Sequence, residues 1–549
     1  DMDQMKNINI IKLKKTFIFL CAFLTIFLMS GCKEKIKIEE AYPNNNVYYQ
    51  VFVRSFADSD GDGIGDFKGI EAKLDYLKEL GVTGLWLMPI HPAASYHGYD
   101  VLDYYDVNKD YGTMDDFEDL LNSAKEKGIK IIIDLVINHT ARDHEWFKKA
   151  LNNDPKYHNY YVFTKKMNND IKLGSWGQNI WHKVGDEYFC GYFGDHMPDL
   201  NYENKEVRQE IYNIGRYWVE KGVSGFRIDA AQHLYGTNEY YETVYPYDPN
   251  IKFLSGFRDE MRKINPNFYI TGEINLKAES IIAPYFEALD SPLDFPIAER
   301  IVQTATKTKS DAYVSVLKNI YNKYSAVDEN FISAPFLRNH DEDRIATEYN
   351  GNIQKMKLAA EMLLTLPGSP IIYYGEEIGM FGSKSNGEKS NGVDVWDETR
   401  RLPINFGDNY TATWFNDTNF NDVVRNKSVA SVKEQLVDEN SLLNTYKRIL
   451  NVRDENIALK YGNSFEAYEN NNYEIQGFYR EISFGKSKQK VLVIHNISDV
   501  EVNISVKGKV IYISDINPND YNKYNNMYPH LCHYTSISTI FLPIQYAAA

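Results

Sequence analysis

Val207-Arg-Gln-Glu-Ile-Tyr-Asn-Ile-Gly-Arg-Tyr-Trp-Val-Glu-Lys-Gly222 runs straight into Val223-Ser-Gly-Phe-Arg-Ile-Asp229, and this junction decides the fold. Val207, Ile211, Ile214 and Trp218 recur at three- and four-residue spacing, the apolar stripe of a helix lying on a core. Gly222 stops the helix, because glycine enters the left-handed conformation of a helix end without steric cost. Gly225 to Asp229 then reads as a strand that ends in a charge. The same unit occurs upstream. Ile70, Leu74 and Leu77 form a helical stripe, Gly81 ends it, and Gly84 to Pro89 is apolar. Thr113 caps a further helix with Asp116 three residues on; Phe117, Leu120, Leu121 and Ala124 are its buried face, Gly128 its stop, and Lys130 to Val136 the next strand. Near-continuous apolar strands alternating with amphipathic helices belong to a parallel sheet covered by helices.

Extending the pattern gives eight strands: Val47–Phe56, Gly84–Pro89, Lys130–Val136, Gly225–Asp229, Phe268–Glu273, Leu289–Phe295, Phe331–His340 and Pro370–Tyr374. Eight strand–helix units predict an α/β fold, a (β/α)₈ barrel over residues 47–139 and 202–456. A doubly wound sheet is the alternative, but no glycine-rich phosphate loop accompanies it. Residues 140–201, rich in Asn, Lys, Tyr and Trp, break the rhythm and read as a small inserted domain after the third strand. From residue 457 to 549 short alternating segments (477–483, 490–496, 500–506, 509–514) predict an all-β domain, with a tail from Asn517 that is hard to pair with strands.

The chain has 549 residues and a formal charge of −16, which argues against a nucleic-acid partner. Aromatic residues make up 14%, with 42 Tyr, which fits packing on the C–H faces of sugars and equally fits a plain bias of composition. Residues 1–31 read as an export signal: Lys6, Lys12, Lys14 and Lys15 precede an apolar run from Thr16 to Met29, too short to span a bilayer. The run ends in Leu28-Met29-Ser30-Gly31-Cys32, which resembles a bacterial lipobox. Cys32 is therefore the expected lipidation site, residues 32–46 the tether, and the protein an exported one, lipid-anchored to the bacterial cell envelope. Beyond Cys32 only Cys190 and Cys532 remain, which is no disulfide framework.

Barrels of this kind carry their chemistry at the C-terminal ends of the strands. Those positions hold Asn138-His139, Arg227-Ile228-Asp229, Glu273 and Asn339-His340-Asp341. One carboxylate at a strand end is usually a cap; three, with two imidazoles and a guanidinium at equivalent ends, form a set. Splitting an acetal between sugars needs one carboxylic acid to protonate the leaving oxygen and one carboxylate below the anomeric carbon. Arg227 is expected to keep Asp229 ionised, and Glu273, with no such partner in sequence, to hold its proton.

These residues lie in Asp134-Leu-Val-Ile-Asn-His139, Gly225-Phe-Arg-Ile-Asp-Ala230, Thr271-Gly-Glu273 and Phe336-Leu-Arg-Asn-His-Asp341, which resemble, in order, the motifs of the α-amylase family of glycoside hydrolases (family 13). The resemblance covers about residues 47–515. It implies Asp229 as nucleophile, Glu273 as general acid/base and Asp341 as the third carboxylate. It implies His139, His340, Arg227 and Tyr99 (with His97) around the sugar, and retention by double displacement. Met197-Pro-Asp-Leu-Asn201 is similar to a motif of members between oligo-1,6-glucosidases and neopullulanases. Tyr96, where glucose-trimming members often carry Asp, points to an open cleft. Gln232 and Asn275 depart from the usual residues on the leaving-group side. The implied activity is hydrolysis of α-1,4-glucosidic bonds in starch and maltooligosaccharides. An exo- or α-1,6-acting enzyme is the alternative, and a non-catalytic glucan-binding relative is disfavoured because all three carboxylates are present. Asp58, Asp60, Asp62, Ile64 and Asp66 place oxygen ligands at alternate positions around Gly63, the spacing of an EF-hand loop without its terminal Glu. The family carries a Ca²⁺ loop of this form, so a structural Ca²⁺ is expected there.

Overall fold

The computed structural model describes residues 37–166, 173–174, 177–235, 248–306, 311–498, 502–504, 510–514, 532–534 and 538–544. The signal-like stretch and Cys32 lie outside them. The chain divides after Pro43. The described part of the first unit contains a single helical turn, Ile38–Ala41. The second begins at Asn44, whose carbonyl accepts from the Ser369 hydroxyl at 2.6 Å. No helix among the described residues is long and apolar enough to cross a membrane.

Seven parallel strands are hydrogen-bonded in the spatial order Ile371–Tyr373, Tyr48–Val51, Gly84–Leu87, Lys130–Leu135, Gly225–Ile228, Tyr269–Gly272, Ser291–Pro292. Parallel bridges Leu293↔Ala334 and Phe336↔Ile371 close the gap, so all eight expected stretches form one barrel. The seventh is reduced to bridges because Pro335 lies between the two contacts and has no N–H to give a ladder; its carbonyl still accepts from Ile371 at 2.9 Å. The first expected strand is shorter than its apolar run: Tyr48–Val51 is strand, and Val53–Phe56 turns into a helix. Gly65 sits against that turn, where a Cβ would come 2.0 Å from the Val53 carbonyl.

The barrel is filled. Tyr48, Trp86, Ile132, Tyr269, Leu293 and Phe336 pack across its interior, with Tyr48 and Tyr269 stacked at 5.1 Å. Outside, helix Lys205–Glu220 buries Val207, Ile211, Ile214 and Trp218 as its spacing demands. Helix Met114–Glu126 opens with the reciprocal Thr113–Asp116 capping box. Within the inserted segment, Phe163–Thr164, Glu187–Cys190 and Trp181–Val184 form an antiparallel sheet, and Ile180, Cys190 and Tyr192 make its core.

After the last barrel helix comes a five-stranded antiparallel sheet, ordered Glu466–Ala467, Ile475–Phe484, Ser487–Asn496, Ser538–Ile544, Tyr512–Ile513. The tail differs from its sequence reading. Ser538–Ile544 pairs along the whole of residues 490–496, and Cys532–Tyr534 pairs with Val502–Ile504. Residues 490–496 would otherwise form a bare edge; the tail supplies the pairing that adjacent segments do not.

Candidate active site

The register of three barrel strands builds the centre. Arg227 lies opposite Asp134 on one side and Thr271 on the other. Side chains two residues apart share a face, so Asp229 joins Arg227, and Glu273 joins Thr271, on the inner side of the barrel mouth. Arg227 is fully buried and donates to Asp134 (2.9 Å), Asp229 (2.7 Å) and Glu273 (2.6 Å). Glu273 therefore has the cationic partner that its sequence context lacks, because that partner comes from the neighbouring strand. Ala230, directly after Asp229, holds a φ of +45°, a conformation disfavoured for residues with a side chain. Its amide donates to Glu273 at 3.3 Å.

Three carboxyls share one guanidinium. Burial raises the pKa of Asp229 to about 7; Arg227 opposes this and Asp134 adds to it. Burial likewise raises that of Asp134 to about 6. Glu273 is raised by burial, with the charges of Asp229 and Asp341 reinforcing the shift against Arg227. The expectation that Arg227 alone keeps Asp229 at an ordinary carboxylate pKa thus fails, since one cation divided among three buried acids does not outweigh desolvation. The cluster keeps a proton near neutrality, and that proton belongs to the group as a whole.

Asp341 is the opposite case. Burial works against its charge, but His340 (3.0 Å), Arg401 (2.9 Å) and Arg227 outweigh burial and hold it ionised well below the ordinary range. His340 accepts at Nδ1 from Gln50 (2.8 Å), and its Nε2 meets the Tyr99 hydroxyl at 2.7 Å. Burial lowers the pKa of this imidazole, and the charge of Asp341 works against that shift. Tyr99 donates to Asp134 at 2.9 Å and stacks on His340, with rings 6° apart in orientation. His139 bonds the Tyr99 carbonyl at 2.9 Å, and His97 accepts the Tyr99 amide at 3.0 Å.

The structure thus brings Asp229, Glu273, Asp341, Tyr99, His97, His139, Arg227 and His340 to one mouth. A cleft of about 1080 Å³ opens over them. Tyr96 lies in its wall, bonded to Arg401 at 3.1 Å and stacked on Trp414. Gln232 and Asn275 line the cleft as well. Sequence reasoning missed three participants. Asp134 carried a signal, being a carboxylate inside an otherwise apolar strand. Gln50 and Arg401 carried none, since only the closed barrel brings them to His340 and Asp341.

The acidic loop stands apart from this centre. Asp58, Asp60 and Asp66 place carboxylate oxygens within 4.8 Å of one another, while Asp62 is outside that group and accepts the Ile64 amide at 2.7 Å. The Asp58 carboxylate also takes the amides of Asp60, Gly61 and Gly63, which curl the loop round it. An all-oxygen donor set of this kind fits a hard divalent cation.

This barrel and site define a glycoside hydrolase, and the chain belongs to the alpha-amylase family: residues 50–462 match its catalytic domain. Among individual proteins it is similar to Alpha-amylase 3 of Dictyoglomus thermophilum, 38% identical over 91% of this chain and 94% of that one. It is also similar to the crystal structure of an alpha-amylase from H. orenii, with a TM-score of 0.79, 36% identity and coverage of 91% and 99%. A 4-alpha-glucanotransferase of Thermotoga neapolitana is 33% identical over 83% of this chain and 96% of its own.

Proposed function

We propose that this enzyme hydrolyses α-1,4-glucosidic bonds of starch and maltooligosaccharides with retention of configuration. The observation that carries the reading is the single guanidinium of Arg227 gripping both Asp229 and Glu273. That grip suits the short separation of a retaining pair, ~5–5.5 Å. Glu273 protonates the leaving glycosidic oxygen while Asp229 attacks the anomeric carbon, giving a covalent glycosyl-enzyme. Glu273 then takes a proton from water, which displaces Asp229. Asp341, held ionised, bonds ring hydroxyls and favours the positively charged transition state. His139, His340, His97 and Tyr99 surround the same sugar. Asp229→Asn and Glu273→Gln are each expected to lower turnover by ~10²–10⁴-fold or more with the melting temperature kept. Full activity in either overturns the assignment.

The product pattern from soluble starch, maltoheptaose, pullulan and isomaltose, with Asp229→Asn as blank, tests specificity. Mixed short maltooligosaccharides support endo-acting hydrolysis. Glucose alone, or cleavage of isomaltose, moves the enzyme to the α-glucosidase side. Chains longer than the substrate would mark transfer, a reading favoured by the similarity to a protein named 4-alpha-glucanotransferase.

Two further features belong to the same reading. A Ca²⁺ held by Asp58, Asp60 and Asp66, with Asp62 and the Ile64 carbonyl completing the loop, would stabilise the fold and take no part in the reaction. Lipidation at Cys32, with residues 33–46 as tether, would hold the barrel, the inserted segment 140–201 and the β domain from 457 at the cell envelope. Labelled palmitate incorporation that is lost in Cys32→Ser tests the anchor.

A further inference from the structure

Residues 385–398 form an arm at the edge of the cleft. Lys389–Ser390 pairs antiparallel with Val393–Asp394, and Asn391 and Gly392 turn the hairpin with φ of +50° and +85°. Positive φ at both central residues makes the tight turn that matches strand twist. The stem is fixed by the Ser385 amide on the Trp396 carbonyl (2.8 Å) and by Ser390 on Asp417 (2.7 Å). At its base Asp397 accepts from Arg400 (2.9 Å), which also donates to the carbonyl of Asp341 (2.7 Å). The arm is thus tied to the loop that carries the third carboxylate.

Trp396 stands at the end of this stem, 50% exposed, the only tryptophan among the described residues with such exposure. Its indole lies over Gly387, where a Cβ would come 2.9 Å from Cζ2; Gly387 also holds a φ of +80°. No aromatic ring among the described residues stacks on it. An exposed apolar side chain alone carries no meaning. This one lines the cleft, its ring position is set by a glycine and a braced hairpin, and Lys384, Asp397 and Glu398 line the cleft beside it. A flat apolar surface edged by hydrogen-bonding groups is the complement of a pyranose, which has an apolar C–H face and a rim of hydroxyls.

We propose that Trp396 is a stacking platform for a glucose unit away from the bond being cleaved, and that it sets a preference for longer chains. This rests on the α-glucan reading above. The test compares Trp396→Ala and Trp396→Phe on maltotriose and maltoheptaose. Trp396→Ala is expected to raise KM for maltoheptaose about five- to tenfold with kcat kept, and to leave maltotriose within about twofold. Trp396→Phe restores most of the loss, because it keeps a ring. Gly387→Ala, which displaces the indole without removing it, is expected to show the same selectivity for length. Equal losses on both substrates, no loss on maltoheptaose, or a Phe variant as poor as Ala overturns the proposal. Wild-type enzyme inert on every α-glucan would sink the functional reading itself; active wild-type enzyme matched by Trp396→Ala sinks only the platform.

Discussion

Two ends of the same barrel bury arginines with opposite consequences. At the mouth, burial disfavours the charge of Arg227, but Asp134, Glu273 and Asp229 outweigh it and push its pKa well above the usual value. At the other end, Arg480 is equally buried and its pKa falls well below the usual value, with burial first and the nearby Arg453 adding to it. Arg453 itself is lowered to about 10. Neither hydrogen-bonds a carboxylate among the described residues. Arg480 donates to the carbonyls of Thr365, Leu459 and Gly462, and Arg453 to those of Leu364, Leu366 and Gly368. Leu364, Thr365 and Leu459 lie in the last turns of helices Ile353–Thr365 and Ile457–Lys460, where carbonyls lack partners within the helix, and Leu366, Gly368 and Gly462 lie in the segments just beyond them. A guanidinium, with five donors in one plane, caps several at once and meets the negative end of the helix dipole. One buried arginine arranges acids for a reaction, whereas the others fasten the β domain to the barrel. Partner chemistry separates the roles, because burial does not differ.

Substitutions at the two ends should therefore fail in different ways. Arg227→Lys supplies a single point charge, which cannot bridge Asp229 and Glu273 in the same geometry. The expected result is a fall in kcat/KM of ~10²–10³-fold with most of the folding stability kept. Arg480→Met leaves the carbonyls of Thr365, Leu459 and Gly462 without a donor and should cost about 2–4 kcal/mol. Its kcat, measured well below the melting temperature, should match the wild type. If Arg480→Met lost turnover while keeping its melting temperature, the division between the two ends would collapse. A smaller effect is expected between them, at the Asp58 loop. Its Gly63 carbonyl accepts from Thr413, and the Asp58 amide donates to Tyr410, so it ties the first barrel loop to the segment after the eighth strand. Chelation should lower the melting temperature by a few degrees through mass action and leave kcat unchanged once Ca²⁺ is restored. An unchanged melting temperature, in protein first shown to contain the metal, would remove the structural ion.

The mouth was far more legible in sequence than the fastening. Asp229, Glu273 and Asp341 stand out because each lies at the C-terminal end of an expected strand, and the strand pattern alone puts such residues at the barrel rim. What periodicity withholds is register. Nothing in the spacing tells that Arg227 lies opposite Asp134 and Thr271, so the sharing of one cation among three acids, and the raised pKa of Asp229 that follows, were not readable. Arg401 was hidden for the same reason, since it reaches Asp341 only through barrel closure. Arg453 and Arg480 left no trace: an arginine on an amphipathic helix or a strand reads as solvated unless its long-range carbonyl partners are known. The tail strands Cys532–Tyr534 and Ser538–Ile544 were missed because their partners lie about thirty to fifty residues upstream and no local turn announces the pairing.

The weakest effect concerns acids that burial strips of compensation, in contrast to Asp341 with its Arg401. Asp199 is raised by burial to about 7; its hydrogen bonds from Tyr192, Cys190 and Asn138 lower it only in part, and no cation among the described residues contacts it. Glu376, bonded to the Tyr446 hydroxyl, is raised by burial to about 8. Between the unfolded carboxylate range near pH 4 and these values, the folded state binds more protons than the unfolded one, so these groups make stability fall as pH rises. The buried His91, His233 and His495, lowered by burial to about 3, act the other way. They stay neutral in the fold while the unfolded chain protonates below about pH 6.5. The two sets oppose each other below that pH. Above it the raised carboxyls dominate, the buried Cys190 thiol, raised by burial, acts in the same direction near the upper end, and Asp341 is already ionised in both states. The melting temperature should therefore decline from pH 6.5 to 8.5, and Asp199→Asn should flatten the decline because one of the titrating groups is gone. A melting temperature that stays level or climbs over that interval would mean that these acids find compensation in the folded protein.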